Sequence, residues 1–286
     1  MAVALALVTA ACFGVADVAG GLAATRARVL QVVAGSHLIG AVGAVVAAVL
    51  IAERFTVRDA GLGVLGGGFG MVGVALLYRR LAIGPMNVVA PLTAVTSAVL
   101  PAAWGVAGGE RLTGLGWLGL AVALVAVVLV SLTPAAAGAG ARAAVDVPVV
   151  VESLLAGAGF GALFIVFGAT AEATAPWPVA SARIASSTTL VLLLLVVAAR
   201  SDRPVVPADR GAWGWIAAAG LLDTTANMTF LFAEARGRLA VVSVLAALYP
   251  VVTVVLARAV LGERMTRAQG IGFAAALVAT QLLALG

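Results

Sequence analysis

The sequence of 286 residues contains no lysine, one cysteine and one histidine, and only 10% of it is charged. Each shortage removes a class of function. A single cysteine, Cys12, cannot form an intrachain disulfide or a cysteine metal cluster. A single histidine, His37, leaves no multi-histidine zinc motif, so no metal or cofactor is expected. Without lysine there can be no phosphate-binding Gly-x-x-x-x-Gly-Lys loop, which excludes ATP hydrolysis by that route. No Gly-x-Ser-x-Gly elbow, histidine-rich helix or helically spaced carboxylate pair is present, so the chain is not expected to be an enzyme.

What is abundant is apolar surface. Hydrophobic residues make up 63% of the chain and the mean hydropathy is +1.18. A soluble domain runs at roughly 45–50% apolar and about 25% charged, so this composition reads as an integral membrane protein. The pI of 10.9 comes from arginines scattered singly and in pairs between apolar runs. That is how a membrane protein distributes loop charge, and nucleic acid is not expected as a partner.

A membrane-crossing helix needs about 20 mostly apolar residues. Ten segments meet that length: 2–20, 30–52, 60–78, 86–107 and 114–133 in the first half, and 149–170, 178–199, 211–232, 239–261 and 267–285 in the second. The expectation is an all-α polytopic membrane protein with ten transmembrane helices. Residues 134–148, rich in Ala and Gly, form a linker between two halves, 1–133 and 149–286.

The halves resemble each other. A shift of 153 residues aligns Gly84 with Gly237, Val88-Val89 with Val241-Val242, Leu92 with Leu245 and Ala94 with Ala247. The same shift aligns Gly109-Glu110-Arg111 with Gly262-Glu263-Arg264 and Thr113 with Thr266. Shifts of 147 and 146 pair Phe13-Gly14 with Phe160-Gly161 and His37 with Arg183. Five spans per half is an odd number, so the second copy enters the membrane in the opposite direction. Two five-helix inverted repeats are the architecture of many secondary transporters, with the substrate held near the midplane where the halves meet.

With its duplicated ten-span pattern, Phe-Gly in spans one and six, and Gly-Glu-Arg closing spans four and nine, the sequence resembles the EamA-type ten-helix branch of the drug/metabolite transporter superfamily. The resemblance implies a cell (plasma) membrane transporter, often an exporter of amino acids, metabolites or drugs, with a central cavity. It implies a small-molecule substrate, a proton or counter-solute as coupling partner, surrounding membrane lipids, and both termini in the cytoplasm. Where many members carry Trp before the Gly of span one, this sequence has Phe13. The arginine distribution points the other way on orientation. Eleven arginines (26, 28, 79, 80, 142, 200, 203, 210, 258, 264 and 267) flank odd-numbered loops and five (54, 58, 111, 236 and 238) flank even-numbered ones. The positive-inside rule then places both termini outside.

Ionisable groups in mid-membrane cost roughly 2.5–3.5 kcal/mol on insertion scales and usually face a cavity. Asp17 lies on one helical face with Thr9 and Phe13. There it takes up a proton or pairs with a cationic substrate, or else span one ends at Gly20-Gly21 and Asp17 marks the interface. Asp223 and Asn227 lie four apart in span eight, with Gly70 and Val74 as their first-half counterparts. Such asymmetry suits a specific site; the alternative is a helix–helix hydrogen bond worth about 0.6–2 kcal/mol. Arg183 and His37, at matching positions, offer an anion contact, or a snorkelling arginine and a packing histidine. Asn87 and Pro91 begin a polar, proline-broken side of span four. Tyr249 in span nine either stacks on substrate or sits in an aromatic belt. Glu110 and Glu263 read as end markers and loop anchors.

The readings are therefore a secondary active or facilitative transporter working by alternating access, a flippase for lipid-linked solutes, an intramembrane enzyme, or a non-transporting scaffold. Two halves joined covalently make a monomer sufficient.

Overall fold

The computed structural model describes residues 1–83, 86–132, 146–201, 204–207, 209–261 and 265–286. Among these residues the chain is all-helical, with ten helical segments long and apolar enough to span a membrane. They are α1 (Ala2–Ala24), α2 (Val29–Ile51), α3 (Val57–Ile83), α4 (Met86–Ala107), α5 (Gly114–Ser131), α6 (Val147–Gly168), α7 (Trp177–Ser201), α8 (Gly211–Glu234), the short α9 (Leu239–Ala246) and α10 (Tyr249–Leu261), and α11 (Arg267–Leu285). In hydrocarbon every backbone N–H and C=O must be satisfied internally, which leaves a helical apolar run no alternative. The starts carry caps: Thr113 accepts from Gly116 N at 3.1 Å, Asp146 from Val149 N at 3.0 Å and Thr266 from Gln269 N at 3.2 Å. Thr113 and Thr266 are the threonines that the 153-residue shift aligns.

Two features differ from the sequence reading. Helix α1 continues past residue 20 to Ala24, running through Gly20 and Gly21. Without water competing for the backbone, glycine is tolerated inside a membrane helix. Asp17 is therefore followed by nearly two more helical turns. The ninth span is not one helix but two, broken by a turn at Ala247-Leu248. Pro250 has no N–H to return to the carbonyl four residues back, at Ala246, and its ring crowds that carbonyl. The fourth span, with Pro91 and Pro101, stays continuous from Met86 to Ala107.

The helices interdigitate. Helix α1 packs on α8 and on α9–α10, while α6 packs on α3 and α4. The pairs α2–α8 and α3–α7 likewise exchange when the halves are exchanged, and α2–α7, α4–α9 and α5–α11 join corresponding helices. Atomic contacts repeat the relation. A Cβ on Gly119 of α5 would meet Leu282 and Leu283 at 2.9–3.0 Å, and one on Gly272 of α11 would meet Leu129 and Val130 at 2.7–3.0 Å. Those are the same positions shifted by 153. The start of α5 thus lies against the end of α11, and the reverse, so the two run antiparallel.

Both termini come to one end, called here the terminal end. Arg238 Nη1 donates to the Gly286 carbonyl at 3.2 Å, and a Cβ on Gly237 would lie 2.6 Å from Ala2 Cβ. The opposite end is called distal.

Close approach is what holds such helices together in lipid, where burying apolar area gives no drive. At Gly220 of α8 a Cβ would fall 2.2 Å from the Ser36 carbonyl of α2, so backbone must yield; at Gly20 nothing lies within 4 Å. Gly220→Ala is expected to destabilise by about 1–3 kcal/mol, whereas Gly20→Ala gains roughly 1 kcal/mol of helix propensity. Thermal unfolding in detergent checks both.

Candidate functional site

The polar residues of the spans collect where α2, α7 and α8 meet. Arg183 enters from α7, six residues past its start at the terminal end, and His37 from α2, eight residues past its start at the distal end. The two long helices run in opposite directions, so these unequal depths converge on the middle of the bundle. Asp223 lies near the midpoint of α8. Arg183 Nη2 donates to Asp223 Oδ2 in a salt bridge whose side chains are 11% and 35% exposed. The arginine is thus neutralised by a carboxylate that still reaches open space.

His37 completes the cluster. Its Nδ1 lies 2.8 Å from Ser186 Oγ, and Ser186 Oγ donates to the Arg183 carbonyl at 3.3 Å. A serine hydroxyl has one proton, so His37 Nδ1–H is the donor in that pair. Arg183 Nη1 lies 3.3 Å from Nε2 and 3.5 Å from Nδ1, so the guanidinium rests against the imidazole ring between its two nitrogens. The Nδ1–H tautomer satisfies the serine contact, and the ring packs against Nη1 of the guanidinium whose Nη2 holds Asp223. The pairing of His37 with Arg183 is the 146-residue sequence match made physical.

The remaining candidates separate. Asn227 is buried, and its amide donates to the Asp223 backbone carbonyl at 2.8 Å. It therefore braces its own helix and does not touch the carboxylate. Asp17 is exposed at the side of α1, with the Thr253 hydroxyl of α10 as its neighbour. Tyr249 opens α10 at the break in the ninth span, its ring 6.2 Å from Phe13 and edge-on at 66°. Phe13 is 6.4 Å from Phe164, which stacks on Phe230 at 4.2 Å and 19°. Tyr249 is the last member of this aromatic row across α8, α6, α1 and α10. Asn87 begins α4, but its side chain lies outside the described residues.

Two contributors escape sequence reading. Ser186 follows Arg183 by one helical turn and shares its face, a spacing that would have disclosed it. Thr253 stands in the same relation to Tyr249. Thr224, which the sequence places on nearly the same face of α8 as Asp223 and Asn227, carries a buried hydroxyl with no hydrogen-bond partner among the described residues, packed against Gly40 of α2.

Comparison with known proteins bears on the fold and the family. Residues 149–285 match the EamA-like transporter family. Among curated proteins none matches the chain. A solved crystal structure of a protein superposes with a TM-score of 0.79, covering 99% of this chain and 97% of its own at 19% identity, which is a likeness of fold.

Removing one partner of a buried ion pair leaves the other charge uncompensated. Asp223→Asn is expected to cost about 3 kcal/mol, the low end for a buried pair because the carboxylate keeps some exposure. Arg183→Gln in the same chain should recover part of that loss. Unfolding of the two single variants and the double variant in detergent measures the coupling, and strictly additive losses would refute it.

Proposed function

We propose, for a chain whose residues 149–285 match the EamA-like transporter family, a secondary active or facilitative exporter of small metabolites, amino acids or drugs. A membrane transporter of small solutes is what that family gives; direction and alternating access are our reading. The carrying observation is the Arg183–Asp223–His37 cluster in the middle of the bundle. Each such charge costs roughly 2.5–3.5 kcal/mol to insert, and a purely structural bundle of Ala, Val and Leu would not need it. A solute anion competes with Asp223 for Arg183, and a cation or proton competes with Arg183 for Asp223. Either exchange opens the pair, which gives the site two charge states to couple to two shapes.

Two inverted repeats, residues 1–133 and 149–286 with 134–148 as linker, supply the two shapes. The reading is supported by helix contacts that exchange with the halves, and by antiparallel α5 and α11 meeting through equivalent glycines. An axis in the membrane plane relates antiparallel helices, whereas one along the membrane normal relates parallel ones. The helices of the halves interdigitate, so the site is complete within one chain and a monomer suffices. We place the protein in the plasma membrane with both termini cytoplasmic, following the family resemblance against the arginine count.

One observation favours the flippase reading. An apolar groove of about 390 Å³ lies between α2 and α7, lined by Leu38, Val42, Val46, Ile184, Ser187 and Thr188. Leu38 and Ile184 directly follow His37 and Arg183, so a lipid tail in the groove would bring its headgroup near the cluster.

Thermal-shift screening of the purified protein against metabolites and drugs tests the main reading. A ligand at a hundred times its Kd should stabilise by about 2.7 kcal/mol, and Asp223→Asn or Arg183→Ala should abolish the shift. Asp223→Asn retaining full pH-dependent flux in liposomes would remove Asp223 from coupling, and stabilisation only by lipid-linked solutes would favour the flippase. For orientation, a fluorescent protein that folds only in the cytoplasm, fused after Gly286, should fluoresce; a dark fusion gives the answer to the arginines.

A further inference from the structure

The Gly109-Glu110-Arg111 signature does work that the polar cluster does not use. After α4 the chain reverses at Gly109, whose φ of 103° lies in the left-handed region that favours glycine. The reversal lets Glu110 N donate to the Gly105 carbonyl at 3.0 Å and folds the Glu110 side chain over Gly105, where a Cβ would fall 2.6 Å from Oε2. From there the carboxylate crosses to the other half of the chain. Glu110 Oε1 accepts from Leu239 N at 2.6 Å and Oε2 from Ala240 N at 2.9 Å. These are first-turn amides of α9, which helical bonding leaves without partners. The helix's own N-cap residue, Arg238, gives them no side-chain bond. A carboxylate at a helix start is stabilised by both the bonds and the dipole.

The contact belongs to a wider set. At the terminal end some described ties cross between the α3–α4–α6–α7 side and the α1–α8–α9 side, while Asp59 with Thr174 and Ala171, and Arg58 with the Ala169 carbonyl, stay within the first. Besides Glu110, Arg236 of the α8–α9 turn pairs with Glu172 between α6 and α7, and Phe164 of α6 stacks on Phe230 of α8. At the distal end two of the described ties stay within a side and a third joins α2 to the connection between α7 and α8. Arg80 binds Glu152 at 2.6 and 2.7 Å, joining α3 to α6. Arg26 of the α1–α2 turn donates to the Gly211 carbonyl at 3.3 Å, tying that turn to α8. Gln31 of α2 donates to the Pro204 carbonyl at 2.9 Å, just ahead of α8.

We propose that Glu110 is the latch of a gate at the terminal end: it holds α9 against α4 while that end is shut, and its withdrawal from the α9 amides lets that end open. The inference rests on the transport reading, since a gate presupposes alternating access. Helix α9 is suited to the part. It has eight residues and is separated from α10 by the Ala247-Leu248 turn, so it can tilt without carrying α10 with it. The capped arrangement is held by two amide hydrogen bonds to one carboxylate, so it is released when that carboxylate withdraws. Glu110 is a positioning residue here, with no contact to solute required.

Accessibility tests this without knowing the solute. With the sole cysteine removed as Cys12→Ala, Ser243→Cys places a probe on a fully buried position of α9, and Ala279→Cys places a control on a fully buried position of α11. The full chain in lipid nanodiscs is labelled with a charged maleimide, alongside hydrogen exchange of α9. Glu110→Ala should label the Ser243→Cys probe roughly tenfold faster, as expected for losing charge-assisted bonds. Exchange should rise at 239–240, with the Ala279→Cys probe unchanged. If Glu110→Ala fails to fold, Glu110→Gln, of equal size with one acceptor oxygen retained, should give the same selectivity at roughly threefold. Unchanged labelling at Ser243→Cys, or an equal rise at Ala279→Cys, overturns the latch, the second result making Glu110 a general structural cap. Labelling does not depend on flux. A selective rise in a protein that moves no solute would thus keep the latch and defeat transport, while flux with unchanged labelling would do the reverse.

Discussion

Apolar helices surrounded by lipid gain nothing from burying apolar area against one another, and this governs the rest of the structure. Association must come from near contact of backbones and from polar groups that find partners only in the assembled bundle. Small residues provide the first, as where Gly220 lies on the Ser36 carbonyl and where Gly119 and Gly272 receive the facing leucines and valine of α11 and α5. Arg183, Asp223, His37 and Ser186 provide the second. The same scarcity of attraction makes the bundle adaptable, because few contacts need to be exchanged for two helices to shift.

The polar contacts divide into two kinds by what they join. In the interior, a cation from one half meets a carboxylate of the same half and a histidine of the other, so a change in charge at the centre is felt by both. At the terminal end, Glu110 of the first half reaches the backbone of α9 in the second, 129 residues away. The aromatic row from Phe230 through Phe164 and Phe13 to Tyr249 touches α8, α6, α1 and α10 in turn.

What could be read from the sequence was local. Hydropathy over about 20 residues is a property of a single segment in its solvent, so the number of spans and their approximate limits followed from composition. Capping is equally local, and the threonines at 113 and 266 start their helices because each bonds an amide three residues on. The His37–Arg183 correspondence needed only the comparison of one half with the other, and α2 and α7, which that comparison pairs, pack together.

Tertiary structure alone decided the rest. Arg183 could have faced any of several helices, and which carboxylate neutralises it depended on how the halves interleave. Asn227 has the right spacing from Asp223, yet its amide binds the Asp223 backbone carbonyl and braces its own helix. Two prolines leave α4 unbroken while one breaks the ninth span, a difference of surroundings that proline content does not encode. A helix face has no sequence-visible partner until another helix is laid on it. The composition of this chain therefore determined that ten helices would span a membrane, and their interdigitation determined what chemistry they hold between them.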